Sequence, residues 1–254
     1  MTAFVVASLV LAVVFGGALV GMALRSLLPG HHLDDSAKDT VKLATGIIAT
    51  MAALVLGLLV SSAKGSFDQM SAELTQAAVK VIQLDHALAS YGPQTREIRA
   101  ELRKHYAAAA DALASGDPAR IDPLGAGRSV EPIGSLQVAI RALEPRDDIQ
   151  RDLRARALAL ADESSANRWL MVLQRHDSIS VPMVVVVVAW LTLIFVGFGL
   201  FAPSNGTVVT ALLLCATSVA GALFLILEMD DPFGGIVRLS DVPMRRALAI
   251  LSGG

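Results

Sequence analysis

The sequence predicts an all-α membrane protein with four transmembrane helices in two hairpins and a cytoplasmic helical bundle inserted between spans two and three. Three observations predict it. Four long apolar runs carry no charged side chain. The lysines and arginines collect on one side of those runs. Between the second and third runs, apolar residues recur at helical spacing.

Apolar residues make up 54% of the 254-residue chain and charged residues 17%, where a soluble chain carries about 25% charged. A net charge of −2 gives no basic excess to hold nucleic acid. The single cysteine, Cys215, lies in an apolar run, so no intrachain disulfide is available.

A helix needs about 20 apolar residues to cross the hydrocarbon core. The first run is Phe4 to Leu24, the second Leu43 to Val60, the third Val181 to Phe201 and the fourth Val208 to Leu227. Ser61, Ser62 and Ala63 can extend the second. The first is too long for the apolar region of a signal peptide, and no charged residue precedes it, so a retained helix is expected.

Lysine and arginine counts set the orientation. Arg25, Lys38 and Lys42 fall between the first two spans, and the link from Ala202 to Thr207 has none. Residues 61–180 hold fifteen, and the tail adds Arg238, Arg245 and Arg246. Both termini and the middle region are therefore expected in the cytoplasm. The organisation follows: a first hairpin over 1–60, a cytoplasmic helical region over 61–180, a second hairpin over 181–227 and a cytoplasmic tail over 228–254.

The second span is expected to continue into the soluble region. Phe67, Met70, Leu74, Ala78, Val81, Leu84 and Leu88 follow steps of three and four, which marks one apolar helix face. One helix is expected from Leu43 to Ala89, about 70 Å long at 1.5 Å per residue, ended by Gly92-Pro93. A second covers Gln94 to Ala114. Ser115 to Gly134 reads as a loop, Ser135 to Leu143 as a short helix, and a further helix runs from near Asp147 to Asp177. Asp147–Arg151 and Asp152–Arg156 are expected as ion pairs at i, i+4.

No phosphate loop, HExxH or CxxC is present, and no enzyme chemistry, cofactor or metal site is expected. His86, His105 and His176 read as solvated or packed side chains. His31-His32 with Asp34 and Asp35 read as a polar hairpin turn before a metal site.

Two patterns stand out. Gly46, Thr50, Ala53, Gly57, Ser61 and Lys64 share one face of the second span. Small residues let helix backbones approach in lipid. The same face can instead line a pore, with Lys64 at its inner mouth favouring anions. The second pattern follows the last span: Glu228, Met229, Asp230, Asp231, Pro232, Phe233, Gly234, Gly235. Pro232 stops a helix, the glycines permit a turn and Phe233 suits the interface. Acids at a helix C-terminus oppose the dipole, so an arginine partner is expected for them before a metal.

These patterns resemble the bestrophin-like domain-of-unknown-function family of bacterial and plant membrane proteins. The likeness is carried by Leu225 to Ser240 (LILEMDDPFGGIVRLS), by Val242-Pro243-Met244 and by Gly57 to Phe67 (GLLVSSAKGSF). It implies that Glu228, Asp230, Asp231, Pro232, Phe233, Gly234 and Gly235 form the family's exit motif. It also implies a multi-pass protein of the bacterial inner membrane. The more distant bestrophins are pentameric anion channels lined by the second span. Residues 42–66 lack the aromatic residues of a bestrophin neck, and the acidic run is shorter than the calcium-binding run of animal bestrophins.

The resemblance implies a homo-oligomeric, bestrophin-like ion channel, pentameric by analogy and anion-selective by Lys64. Its partners would be the bilayer, copies of itself and small inorganic ions. The alternative is a non-conducting scaffold or sensor whose cytoplasmic bundle binds a partner.

Overall fold

The computed structural model describes residues 2–27, 35–116, 130–174, 180–203, 205–230 and 235–253. Among these residues every regular element is a helix: α1 (Thr2–Leu27), α2 (Asp35–Tyr91), α3 (Arg96–Ser115), α4 (Val130–Arg141), α5 (Asp148–Gln174), α6 (Val181–Phe201), α7 (Gly206–Asp230) and α8 (Val242–Gly253), with a single 3-10 turn at Pro93–Thr95. Four of them, α1, α2, α6 and α7, are long and apolar enough to cross a membrane. The chain divides into two compact units, Met1–Ser66 with Ser178–Asp231, and Phe67–Asp177 with Pro232–Gly254. Helix α2 contributes to both.

In the first unit, α1 packs along α6 and α7. Hydrocarbon gives no hydrophobic drive between helices, so close packing must supply the attraction. The seam is built for it. A Cβ on Gly17 would stand 2.9 Å from Thr192 Cγ2. A Cβ on Gly21 would collide with the Val196 carbonyl oxygen, and one on Gly199 with the Ala18 carbonyl oxygen. The two backbones touch because no side chain keeps them apart. Val14 and Ala18 of α1 and Val187 of α6 are buried beside this contact. At the end of the seam, Arg25 Nη1 donates to the Ala202 carbonyl. That places a cation at the C-terminus of α6, where the helix dipole favours it. Asn205 Oδ1 accepts from the Val208 N–H at 2.9 Å and caps α7. The fourth helix therefore starts at Gly206, two residues before the apolar run.

The second unit has two apolar clusters. Leu84, Leu88, Ile98, Leu102 and Ile140 centre one, with Ala157 and Ala161 of α5. Leu74, Ala78, Tyr106 and Ala110 centre the other, with Leu239, Met244, Ala247 and Leu251 of the tail. The stripe expected along α2 is thus the face that packs. The turn after α2 uses Gly92 at φ 127°, a conformation costly for any residue with a Cβ. Thr95 is fully buried beneath it. Its hydroxyl donates to the Leu88 carbonyl at 2.5 Å, with the Gly92 carbonyl 2.8 Å away.

Several boundaries differ from expectation. Helix α4 begins at Val130, not Ser135, because Pro132 falls in the first turn, where its missing N–H costs little. Residues 117–129 of the expected loop lie outside the described residues. Arg151 pairs with Asp148, not Asp147. The Asp147 carboxylate is taken by the Gln150 N–H at 2.6 Å, as a cap for α5. Helix α7 runs through Glu228 to Asp230 instead of stopping at Leu227. Glu and Met are good helix formers, so helix geometry persists until the approach to Pro232. Helix α8 was not expected at all.

Candidate functional site

At about 100° per residue, the membrane stretch of α2 presents three faces. Ala52, Leu59 and Ala63 are buried against the first unit's core. About 140° away stand Gly46, Thr50, Ala53, Gly57, Ser61 and Lys64, every one of them exposed. On the remaining side, Ile47, Met51, Leu54 and Leu58 are exposed as well. Of the four membrane-length helices, α2 is the least covered, with 11% of its most apolar window buried against 28% to 33% for the others.

The six small or polar residues are brought together on one exposed face of α2. A Cβ added to Gly46 or Gly57 finds no heavy atom within 4 Å. Close packing within the chain is therefore not the role of these two glycines. That role falls to Gly17, Gly21 and Gly199. The sequence carried a signal for this seam, since Gly17 and Gly21 stand four residues apart in the small-xxx-small arrangement. Thr50 turns its hydroxyl back to the Gly46 carbonyl at 2.9 Å. Thr50 alone therefore does not demand water.

The exit motif is divided. Glu228 is buried at the end of α7, and Asp230 is half-buried. Asp231, Pro232, Phe233 and Gly234 lie outside the described residues. Gly235 opens the tail segment, where its carbonyl accepts from Arg238 Nε at 2.9 Å. The Arg238 guanidinium lies against Gly116, the left-handed residue at φ 61° that ends α3. A methyl at Gly116 would meet Arg238 Nη1 at 2.5 Å.

Among the described residues, no group of three His, Cys, Asp or Glu side chains is placed to hold a metal ion. His86 is exposed, and His105 Nε2 lies 3.2 Å from Glu101 Oε1 one turn away. His31, His32, Asp34 and His176 lie outside the described residues.

A chain whose described elements are all helical, with four of them long and apolar enough to cross a membrane, defines a class: multi-helix membrane proteins. The family is narrower. The bestrophin-like domain matches residues 12–244, so the chain belongs to the bestrophin-like family. No curated protein and no solved structure matches it.

Proposed function

We propose that this chain is one subunit of a homo-oligomeric, bestrophin-like ion channel in the bacterial inner membrane, with α2 lining the pore. The uncovered face of α2 carries the reading. Its six residues offer small volume, hydroxyls and one cation, which suit a water-filled axis. The bulky arc of Ile47, Met51, Leu54 and Leu58 suits lipid or a neighbouring helix. A ring of copies around α2 would cover what the protomer leaves bare, and a pentamer follows by analogy with bestrophins. In this reading the four spans form two hairpins, both termini and residues 61–180 are cytoplasmic, and Lys64 stands at the inner mouth. One lysine per subunit, repeated around a ring, would favour anions.

The test is ion flux from liposomes carrying the purified protein. Chloride efflux should exceed that of protein-free liposomes, and Lys64→Glu should shift selectivity toward cations. Absence of flux for both anions and cations would overturn the proposal.

A second reading has one observation in its favour. The Thr50 hydroxyl is already satisfied within α2, so the same face can pack against its counterpart in another copy without water. The oligomer would then be a non-conducting scaffold or sensor, and its cytoplasmic helices would carry the partner site.

A further inference from the structure

A cavity of about 500 Å³ opens in the first unit between the start of α2's apolar stretch and the end of α6. It lies at the end of the membrane helices that holds Arg25 and Lys42. Its origin is compositional. The residues facing each other across it include Thr45, Gly46, Ala49, Gly197 and Ala202, too small to fill the space where the two helices diverge. The helices come close at one point, where a Cβ on Gly197 would stand 3.3 Å from Thr45 Oγ1. Phe198 and Phe201 supply an aromatic wall, and Lys42 stands among the lining residues as their only charge.

We propose that this cavity binds an anionic phospholipid, with an acyl chain against Phe198 and Phe201 and the phosphate at the Lys42 amine. Volume, lining and charge agree on that occupant. Cavities of roughly 300–1,000 Å³ hold small-molecule ligands. Apolar walls beside a membrane select a hydrocarbon chain from the surroundings. Lys42, at the end of α2's apolar stretch, can carry its amine to headgroup depth while its stem lies along apolar surface. The amine is available: its bridge to Asp39 spans 3.6 Å, with both side chains more than two-thirds exposed, and such pairs contribute little. Lys38 lies one turn before Lys42 on the same helix face. Asp35 lies about 10 Å further back along the helix. Arg25, held at the Ala202 carbonyl, adds a cation at the cavity's α6 wall. The proposal requires that α2 and α6 cross the bilayer and that Gly46, at the edge of the small-residue face, opens towards α6 and lipid; whether Thr50, Ala53, Gly57, Ser61 and Lys64 line a conducting axis does not enter it.

The test is native mass spectrometry of the full-length protein in detergent. It is titrated with dioleoyl phosphatidylglycerol, dioleoyl phosphatidylcholine and inorganic phosphate. Phosphatidylglycerol should bind saturably, one per chain, more tightly than phosphatidylcholine, and phosphate should not bind. Gly46→Leu, which extends into the open space, should abolish the tight site. Gly221→Leu adds the same bulk at another open position on α7 and should leave binding unchanged. Lys42→Gln should weaken phosphatidylglycerol about fivefold, as expected for one lysine near a headgroup, and leave phosphatidylcholine unaffected. Equal binding by wild type and Gly46→Leu would overturn the site. Loss of oligomer in Gly46→Leu without any saturable lipid in the wild type would assign the cavity to a contact between copies, and would overturn it too. Equal affinity of both lipids for Lys42→Gln and wild type would overturn the role of the amine.

Discussion

Arg99 grips Asp85 through two parallel hydrogen bonds, Nε to Oδ1 at 2.8 Å and Nη2 to Oδ2 at 2.7 Å. The two side chains are only 13% and 10% exposed. The pair joins α2 to α3 across the Gly92 turn, beside Leu84 and Leu88. Removing one partner leaves a charge without its counter-ion in a desolvated place. Asp85→Ala should therefore destabilise the protein by roughly 3–5 kcal/mol. The double replacement Asp85→Leu with Arg99→Met should recover much of that loss. Thermal melting of the detergent-purified protein checks both. The hydrogen bonds that Arg99 donates to the Asp85 carboxylate raise the pKa of the guanidinium above its ordinary value. A raised value stabilises the fold at every pH below the ordinary one, so Arg99 adds no pH dependence near neutrality.

Tyr106 offers a pH dependence that can be read. Its side chain is buried among Leu74, Ala110 and the tail helix, and its hydroxyl makes no hydrogen bond within the described residues. Burial pushes its pKa up to about 12 from an ordinary 10.0. A raised folded-state value means full stability below pH 10, lost as pH rises towards 12. Tyr106→Phe should flatten that alkaline loss. At pH 7 it should be neutral or slightly stabilising, since it removes a buried hydroxyl without a partner. Melting curves from pH 7 upward decide this.

The α1–α6 seam makes a prediction by substitution of single atoms. Gly199→Ala and Gly21→Ala each place a methyl on a facing backbone carbonyl. The helices must separate, at a cost of about 1–3 kcal/mol. Gly57→Ala meets open space and should melt at or slightly above the wild type, because alanine is the better helix former. Equal melting temperatures for Gly199→Ala and Gly57→Ala would contradict the close approach.

Gly116 and Arg238 should be coupled. Gly116→Ala carries both a left-handed backbone cost and a collision with the guanidinium. Combining it with Arg238→Ala removes the collision alone. The double variant should therefore be slightly more stable than additivity requires, by about 0.5 kcal/mol, because the guanidinium ends a flexible side chain that can swing aside in the single variant. A double-mutant cycle of melting free energies measures it.

Much of this molecule was legible because helix signals are local. The stripe from Phe67 to Leu88 gave the packed face of α2, and the uncharged runs gave α1, α6 and α7 to within three residues at each end, while α2 starts at Asp35, eight residues before the expected Leu43. The tail helix was legible too, and was missed. Met244, Ala247 and Leu251 follow steps of three and four after Pro243, and all three are buried. What could not be read was contact at a distance. Asp85 and Arg99 are separated by a turn, and Arg25 and Ala202 by most of the chain. The small-residue face of α2 was legible as a pattern but not as a role, because its exposure depends on what the other helices leave uncovered.

The central claim is that this face meets water within an assembly of copies. Single cysteines at Thr50, Ala53, Gly57 and Ser61, in a Cys215→Ala background, test it most directly. The protein is reconstituted in liposomes and treated with a membrane-impermeant thiol reagent while ion flux is recorded. Labelling at all four positions with block of flux is the expected result, together with protection of cysteines at Leu54 and Leu58 on the bulky arc. Protection of all four, with labelling no greater than at Leu54 and Leu58, would contradict the claim and make the face a dry seam between helices.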